Sequence, residues 1–485
     1  MKNKVKKNTV YNLIKTVSTV IFPLLIFQYV SRKLGVTNVG RVNYGNSIVS
    51  YFSLFASLGL TTYAVRTISK ITSSKKDLEK TASEIYSINL ATTIISYILL
   101  FILLLASHSL AEYRTLIVIQ STVILFTTIG ADWINMAMED YKYIAIRTLA
   151  FQILSFGLVF LFIHNEDDYL KYAAITVISS SGANIVNYFY RKRFCKLHFV
   201  WRFEAKQHLI PIILLFAMQV SQRVYTSSDM TLLGYLRTPY DVGIYSVAVK
   251  VYNIVNILVA SISHVVLPQI SYNYSRSNFK EINQILRYSL GVILLLGVPC
   301  AAGVFSLSPE IVSIVSGVEY AEAFYPLRIL TIALLFSYFG GFITNIILIP
   351  MNGEKKVMYI STICALINIS LNIIFIPRFG VVAAAMTTVI AELVSFIICF
   401  RFIPRGIRID NIQNLVIAPI LEAISIIAIT ALLHKIGINN ILVFAAVDMV
   451  LSLSLYSVYI YVTKNELGMD LIRKIIGAIG LHLNS

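Results

Sequence analysis

From Tyr11 to Val462 this chain is a succession of apolar stretches of about twenty residues or more, broken by short polar turns. The hydrocarbon core of a bilayer is about 30 Å thick, and a helix needs roughly 20 mostly apolar residues to cross it. The pattern predicts an all-α polytopic membrane protein with about fourteen transmembrane helices. The expected spans are Tyr11–Leu34, Gly40–Ile68, Leu78–Ala106, Tyr113–Met138, Tyr143–Ile163, Leu170–Tyr190, Leu209–Leu233, Val242–Ile270, Ile285–Leu307, Pro326–Pro350, Lys356–Ile376, Val381–Ile403, Leu415–Leu433 and Ile441–Val462. Composition agrees, since 57% of the residues are hydrophobic and only 13% charged, a balance foreign to soluble domains. Cys195, Cys300, Cys364 and Cys399 are scattered without metal-ligand spacing, so neither a disulfide framework nor a metal centre is expected.

A net charge of +16 would suit a nucleic-acid partner, so its distribution has to be read before its size. An even number of spans puts both termini on one side. With that side cytoplasmic, about 28 of the 40 Lys and Arg fall in cytoplasmic segments, about 9 near the outer face, and Lys15, Arg223 and Lys250 within spans. The basic clusters Arg66–Lys80, Arg191–Lys206 and Arg401–Arg408 are then inside, and the outer segments Asn165–Asp168 and Glu310–Glu322 are acidic. Topology accounts for the charge, and no nucleic acid is expected. The lysine-rich start imitates a signal peptide, but Lys15 interrupts its apolar run and no small-residue cleavage pattern follows. At the other end, Glu466–Ser485 mixes leucine, methionine and isoleucine with Arg473 and Lys474, as a surface-lying amphipathic helix does.

The first and seventh hairpins repeat one another. Leu34-Gly35, a turn, then Val39-Gly40-Arg41-Val42-Asn43-Tyr44 is echoed by Leu233-Gly234, a longer turn, then Val242-Gly243-Ile244-Tyr245, with a weaker echo at Phe379-Gly380-Val381. Six spans separate the first two copies, which would give both halves the same orientation. The expected architecture is two six-helix lobes in parallel pseudo-repeat, residues 1–200 and 201–410, with two further helices and the tail in 411–485. The plain alternative is that Leu-Gly and Val-Gly are ordinary turn dipeptides between helices.

Polar residues inside spans are costly and tend to face an interior cavity. Asn8, Asn12, Lys15 and Thr19 form one helical stripe, Gln28, Tyr29 and Arg32 another further out, and Asn43, Asn46, Ser47, Ser50 and Ser57 a third that begins beside Arg41. Gln219, Gln222, Arg223 and Thr226 line the seventh helix; Ser246, Lys250 and Asn253 line the eighth. Arg32, Lys33 and Arg41 flank an outer turn, the wrong side for positive charge, whereas Arg223 and Lys250 lie about 21 Å and about 16 Å down from the turn by helical rise. Snorkelling to headgroups is the bland account of the first group, and structural ion pairing, with Asp229 as a partner for Lys250, that of the second. The functional account is a cavity for an anionic group: arginine's paired donors match the oxygens of a diphosphate, and arginine stays charged in a site of any polarity. Drug carriers for cations would place carboxylates there instead. Asp229, Glu392, Glu422 and Asp448 are intramembrane carboxylates and hence candidates for coupling to H⁺ or Na⁺, against the commoner role of structural polar contact.

Several segments carry a family likeness. They are Tyr29-Val30-Ser31-Arg32-Lys33-Leu34-Gly35 leading into Gly40-Arg41-Val42-Asn43-Tyr44-Gly45-Asn46-Ser47, then Ser57-Leu58-Gly59-Leu60-Thr61-Thr62-Tyr63-Ala64-Val65-Arg66, Asp132-Trp133-Ile134-Asn135-Met136-Ala137-Met138-Glu139-Asp140-Tyr141 with Arg147, and Asp229-Met230-Thr231-Leu232-Leu233-Gly234 with Val242-Gly243-Ile244-Tyr245-Ser246-Val247-Ala248. Together they resemble the Wzx-type polysaccharide flippases of the multidrug/oligosaccharidyl-lipid/polysaccharide transporter superfamily. Ala64 and Asn135-Met136 depart from the usual pattern, away from the cation positions. The resemblance implies transfer of undecaprenyl-diphosphate-linked oligosaccharide units from the inner to the outer leaflet for capsule or O-antigen synthesis, by alternating access in a bacterial cytoplasmic membrane with both termini inside. On that reading Arg32, Arg41 and Arg223 take the diphosphate with Lys250 in support. Lys15, Gln28, Asn43, Asn46, Gln219, Gln222 and Asn253 line the cavity, and membrane lipids and a polysaccharide polymerase are partners of a monomeric carrier. A multidrug antiporter of the same superfamily is the nearest rival and a lipid II flippase a further one. No enzyme or cofactor is expected: His108, His164, His264 and His434 read as isolated, and phosphate-loop and dinucleotide patterns are missing.

Overall fold

The computed structural model describes residues 2–71, 74–201, 205–409, 412–462 and 467–470. The Asn8 and Asn12 side chains, and the expected surface helix apart from residues 467–470, lie outside the described residues. What is described is helical: α1 (Lys2–Ser57), α2 (Leu60–Ile68), α3 (Lys75–Ala106), α4 (Arg114–Gly130), α5 (Trp133–Ala137), α6 (Tyr141–Phe162), α7 (Tyr169–Val177), α8 (Ala183–Tyr190), α9 (Ala205–Leu236), α10 (Pro239–Ser275), α11 (Phe279–Ser306), α12 (Ser308–Ser316), α13 (Phe324–Gly341), α14 (Glu354–Arg401), α15 (Ile412–Ile436) and α16 (Ile441–Val462). The chain divides into two compact units, Met1–Ser246 and Val247–Ser485.

Among the described residues, 11 helical segments are long and apolar enough to cross a membrane. Two of them hold more than one pass. Within α14, Thr387 donates a hydrogen bond to Asn372, fifteen residues earlier. A straight helix would hold that pair about 22 Å apart, so the chain doubles back between them, at Gly380 (φ 54°, ψ −130°). In α1 the break is Gly35 (φ 70°, ψ 170°). Before it, Phe22 and Tyr29 pack on Phe156 and Phe160 in α6, in parallel sense. After it, Ser96 and Asn89 of α3 donate to the Phe52 and Ala56 carbonyls, in antiparallel sense. Both glycines sit at positive φ, where a Cβ would be strained.

The remaining expected span, Leu170–Tyr190, is continuous in direction but not in hydrogen bonding. A π segment, Ile178–Gly182, separates α7 from α8. A second π segment, Phe342–Leu348, extends α13. With the two glycine turns and the π-broken span counted, the passes reach about the fourteen that the apolar pattern predicts.

Each unit also contains a corner of the same kind. A 3₁₀ turn, His108–Tyr113, precedes α4, and another, Val318–Ala323, precedes α13. The Arg114 Nε donates back to the Leu104 carbonyl at 2.9 Å, closing the α3–α4 corner. Arg328 Nε donates to Ser308 Oγ at 2.8 Å and the Phe305 carbonyl at 3.3 Å, closing the α11–α13 corner. Each arginine thus satisfies the carbonyls that a helix C-terminus leaves without partners.

Candidate functional site

The Gly35 turn within α1 gathers the first group of cations. Arg32 is exposed and donates to the Gln28 carbonyl one turn back, while the Lys33 ammonium lies 6.0 Å from the Tyr29 ring centroid. The Tyr29 hydroxyl donates to the Ile163 carbonyl at 3.0 Å, and Asn38 Nδ2 donates to the Glu166 carbonyl at 2.9 Å. These bonds fix both sides of the Gly35 turn against the acidic segment between α6 and α7. Arg41, half-buried, donates to Asn38 Oδ1 at 3.2 Å and faces the Tyr169 ring at 5.7 Å. Nearby Asp168 is satisfied locally, by Lys171 Nζ at 2.7 Å and the backbone N–H groups of His164 and Asn165 at 2.9 and 3.0 Å. The Lys171 bond and the two amides hold its carboxyl well below the usual carboxylate range. Among the described residues Arg41 makes no ion pair, and Asp168 beside it is occupied by Lys171 and two backbone amides.

The second half of α1 leads from this turn along α9. Thr231 Oγ1 donates to Ser47 Oγ at 3.0 Å and lies 3.4 Å from the Tyr51 hydroxyl. Phe55 meets Phe216, and Gly59 abuts Leu215, Phe216 and Gln219. The two helices are antiparallel, with Ser47 level with Thr231 and Gly59 level with Phe216. Arg223 therefore lies about 18 Å below Arg41 along the helix axis. It is exposed, as are Gln222 and Thr226 on the same stripe, and it makes no ion pair among the described residues. Asp229 is buried and accepts a hydrogen bond from the Tyr245 hydroxyl at 3.0 Å. Asn46 and Gln28 are exposed, and Asn43, Gln219 and Lys15 half-buried. The first unit thus holds its cations at two heights: Arg32 and Arg41 at the turn, Arg223 deep on α9.

In the second unit Lys250 is half-buried and Asn253 exposed on α10. Glu392, buried on α14, accepts from the Tyr252 hydroxyl at 3.3 Å. Asn256 Oδ1, one turn along α10, accepts from Ser337 at 3.2 Å. Glu422 and Asp448 are each 1% exposed. Ser452 donates to Asp448 Oδ1 at 3.3 Å, and among the described residues Glu422 Oε1 and Asp448 Oδ2 have no hydrogen-bond partner. Asp229 belongs to the first unit, and the other three carboxylates occupy α14, α15 and α16 of the second.

Sequence reading missed the contacts that span long separations. Arg147 and Asp132 form an ion pair at 2.8 Å, beside a buried network in which Asn135 donates to Asn187 and Asn187 donates to the Gly130 carbonyl. The motif containing Asp132 was visible in the sequence; its pairing was not. The expectation that the histidines stand alone needs correction for His434, whose Nε2 lies 3.7 Å from Glu310 Oε1, 124 residues earlier. His208, not singled out from the sequence, contacts Glu84 and Tyr63 from two other helices. Periodicity cannot disclose such partners, because it reports only neighbours along one helix.

An all-helical chain of membrane-length segments, with arginines on α1 and α9, has the architecture of a polytopic membrane protein. Residues 5–274 match the polysaccharide biosynthesis protein family, and this chain belongs to it. Residues 238–458 also match the lipid II flippase MurJ family. Among curated relatives, the capsular polysaccharide biosynthesis protein CapF of Staphylococcus aureus is 26% identical over 74% of this chain and 90% of its own. A protein described as a putative O-antigen transporter of Escherichia coli K12 is 23% identical over 63% of this chain and 73% of its own. In fold, the chain superposes on the lipid II flippase MurJ in an inward closed conformation with a TM-score of 0.75, at 18% identity, covering 95% of this chain and 99% of the other. An outward-facing multidrug resistance MATE transporter gives 0.57 at 16% identity, covering 83% and 94%. The chain is thus a Wzx-type polysaccharide flippase of the transporter superfamily that resemblance indicated, and a carrier rather than an enzyme.

Proposed function

We propose that this protein carries undecaprenyl-diphosphate-linked oligosaccharide from the inner to the outer leaflet of a bacterial cytoplasmic membrane, by alternating access as a monomer. Both termini face the cytoplasm, and a polysaccharide polymerase consumes the product. The observation that carries this reading is Arg223, an exposed arginine deep in a membrane-length helix with no ion pair among the described residues. A charge at that depth costs about 3 kcal/mol or more unless water or a counter-charge meets it. A diphosphate supplies the counter-charge only while cargo is bound, which suits a carrier. Because Arg41 stands about 18 Å higher, one diphosphate cannot touch both at once. The arginines engage it in turn, Arg223 from the cytoplasmic side and Arg41 with Arg32 near release, while Lys250 supports the intermediate stage. The energy source is an H⁺ or Na⁺ gradient acting on Asp229, Glu392, Glu422 or Asp448.

The test is leaflet transfer of a defined undecaprenyl-diphosphate oligosaccharide in proteoliposomes at matched insertion. Arg223→Ala and Arg41→Ala are each expected to slow transfer at least about tenfold, the loss of one charge-assisted contact. Unchanged transfer in both variants would remove the arginines from the path. Absence of transfer by the intact chain, with efflux of organic cations instead, would make it a multidrug antiporter.

A further inference from the structure

α3 marks where the basic end of the first unit meets the bilayer. It has 32 residues, about 12 more than a crossing needs, and its last charged residue is Glu84. Residues 87–106 are the apolar run of roughly 20 that fills the hydrocarbon core, and the exposed large apolar side chains of α3, from Ile94 to Leu105, all lie within it. The edge of the core therefore falls at about Ser87. The segment that joins α8 to α9 climbs α3 to that edge. Its backbone N–H groups at Lys196, His198 and Val200 donate in turn to Glu79, Ser83 and Ser87, a rise of about 12 Å. Phe199 and Trp201, both exposed and with rings 5.6 Å apart, thereby reach the boundary, where amphipathic aromatic rings seat in the interface.

Arg191, at the end of α8, stands at the same level. Its guanidinium lies 5.6 Å from the ring centroid of Tyr86 on α3 and 5.2 Å from that of Tyr188 on α8. It is 3% exposed, its Nε is enclosed without a partner, and its side chain makes no hydrogen bond or ion pair among the described residues. Arg193, two residues on, is paired with Asp140. Lys192 between them is exposed, its ammonium 4.4 Å from the Tyr188 ring centroid and 5.3 Å from that of Phe189. Phe189 is itself 66% exposed, on an apolar face of α8 that also exposes Ile185 and Val186. The orientation rule accounts for exposed cations at this end of the helices, but not for an arginine buried against two tyrosines without an acid. Ring faces attract a guanidinium yet supply no oxygen acceptor for its five N–H donors, and a buried cation stays costly until an anion meets it.

We propose that Arg191 and Lys192, framed by Tyr86 and Tyr188, bind the phosphate of an anionic phospholipid in the adjoining leaflet, with its acyl chains against the apolar face of α8. Arginine gives paired donors to phosphate oxygens and lysine a point charge. A lipid rather than a soluble phosphate is the occupant because the two cations stand at the edge of the hydrocarbon, next to an exposed apolar face. A headgroup of net negative charge is preferred, since a zwitterionic one brings its own cation beside Lys192.

The test uses a single-tryptophan chain in which Trp133→Phe and Trp201→Phe remove the two native tryptophans and Phe189→Trp places a reporter beside Lys192. In phosphatidylcholine proteoliposomes, quenching by phosphatidylglycerol with brominated acyl chains is compared with quenching by brominated phosphatidylcholine at equal mole fraction. One cation at the surface is worth about fivefold, so the relative affinity for the anionic lipid should be about tenfold or more. Lys192→Gln should lower it about fivefold, and Arg191→Gln added to Lys192→Gln should abolish it. Because Lys192 is exposed, its replacement tests the site even if Arg191→Gln does not fold. A second reporter, Leu105→Trp at the far end of α3, should show no such preference. Equal preference at the two reporters, which is diffuse attraction to a basic protein, or a preference unchanged by Lys192→Gln, overturns the proposal. So does emission from Trp201, in a chain lacking only Trp133, that brominated lipid leaves unquenched, because the segment would then stand in water. The vesicles contain no lipid-linked oligosaccharide, so the outcome is independent of the proposed flippase reading.

Discussion

At the scale of single residues, the buried charges divide into those with partners and those that wait for one. Arg147 belongs to the first kind, with 5% of its side chain exposed and Asp132 at 23%. Removing one partner of a buried pair leaves an uncompensated charge, which costs about 3–5 kcal/mol. Asp132→Asn should fall near about 3 kcal/mol because Asp132 retains some contact with solvent. Arg147→Met in that background should recover part of the loss, readable from unfolding of the purified protein in detergent. Asp168 makes a different prediction, one of pH. Its folded-state pKa is depressed by Lys171 and two backbone amides, so the stability it contributes is complete above the unfolded pKa of about 4 and declines as pH falls through the lower folded value. The melting-temperature difference between the intact chain and Asp168→Ala should therefore be constant from pH 7 to about pH 5 and shrink below about pH 4. A difference that grows on acidification would contradict the assignment.

At the scale of elements, glycine and proline explain both what the sequence discloses and what it conceals. The Val39-Gly40 and Val242-Gly243 dipeptides, which read as a repeat, prove to be a reciprocal contact. A Cβ on Gly40 would overlap the Pro239 carbonyl, and one on Gly243 would overlap the Val36 carbonyl. The two helix starts cross with backbone against backbone, as small residues allow in membranes. Gly40→Ala and Gly243→Ala should each prevent stable folding. Gly157→Ala and Gly303→Ala, where a Cβ meets open space, should be neutral or stabilising by up to about 1 kcal/mol, as thermal stability of the purified variants will show. The Gly35 reversal was legible because Leu-Gly closes an apolar run. The left-handed pair Leu58 and Gly59, which ends α1 inside the expected span Gly40–Ile68, was not, since apolar periodicity continues straight across it. Pro299 in α11 has a consequence no pattern reveals. Lacking an N–H, it leaves the Leu295 carbonyl without its helical donor, and the Tyr456 hydroxyl from α16 donates to that carbonyl. Tyr456→Phe should cost about 1–2 kcal/mol, and clearly less when Pro299→Ala restores the amide donor; a double-mutant cycle on unfolding free energy measures the coupling.

At the scale of the whole molecule, the number of passes decides the topology, and it turns on the segment least like an ordinary span. Apolar length alone predicted a crossing at Leu170–Tyr190. Its helix is interrupted by the π turn Ile178–Gly182, with Ser181 bonded back to the Val177 carbonyl and Ser180 likewise at 3.3 Å. Hydroxyl groups of this kind re-satisfy a disturbed backbone inside the membrane. Further observations make it a full crossing. Gly182 packs on Phe151 midway along α6, and at the far end Tyr190 stacks on Tyr143 and donates to Asp140, which also pairs with Arg193. Tyr190 therefore ends beside the start of α6, opposite the acidic turn at Glu166–Asp168 where the segment begins. The basic run Arg191-Lys192-Arg193 follows immediately, as the orientation rule requires of a cytoplasmic end. Cysteines introduced at Asp167 and at Lys192 in a cysteine-free chain should accordingly label from opposite sides, the first from outside intact cells and the second only after permeabilisation. Tags on the two termini should both report the cytoplasm, because the passes are even in number. If Asp167 and Lys192 labelled from the same side, the π-broken segment would be a re-entrant loop. The termini would then lie on opposite sides, and Arg223 would run in the reverse direction relative to the leaflet from which cargo enters.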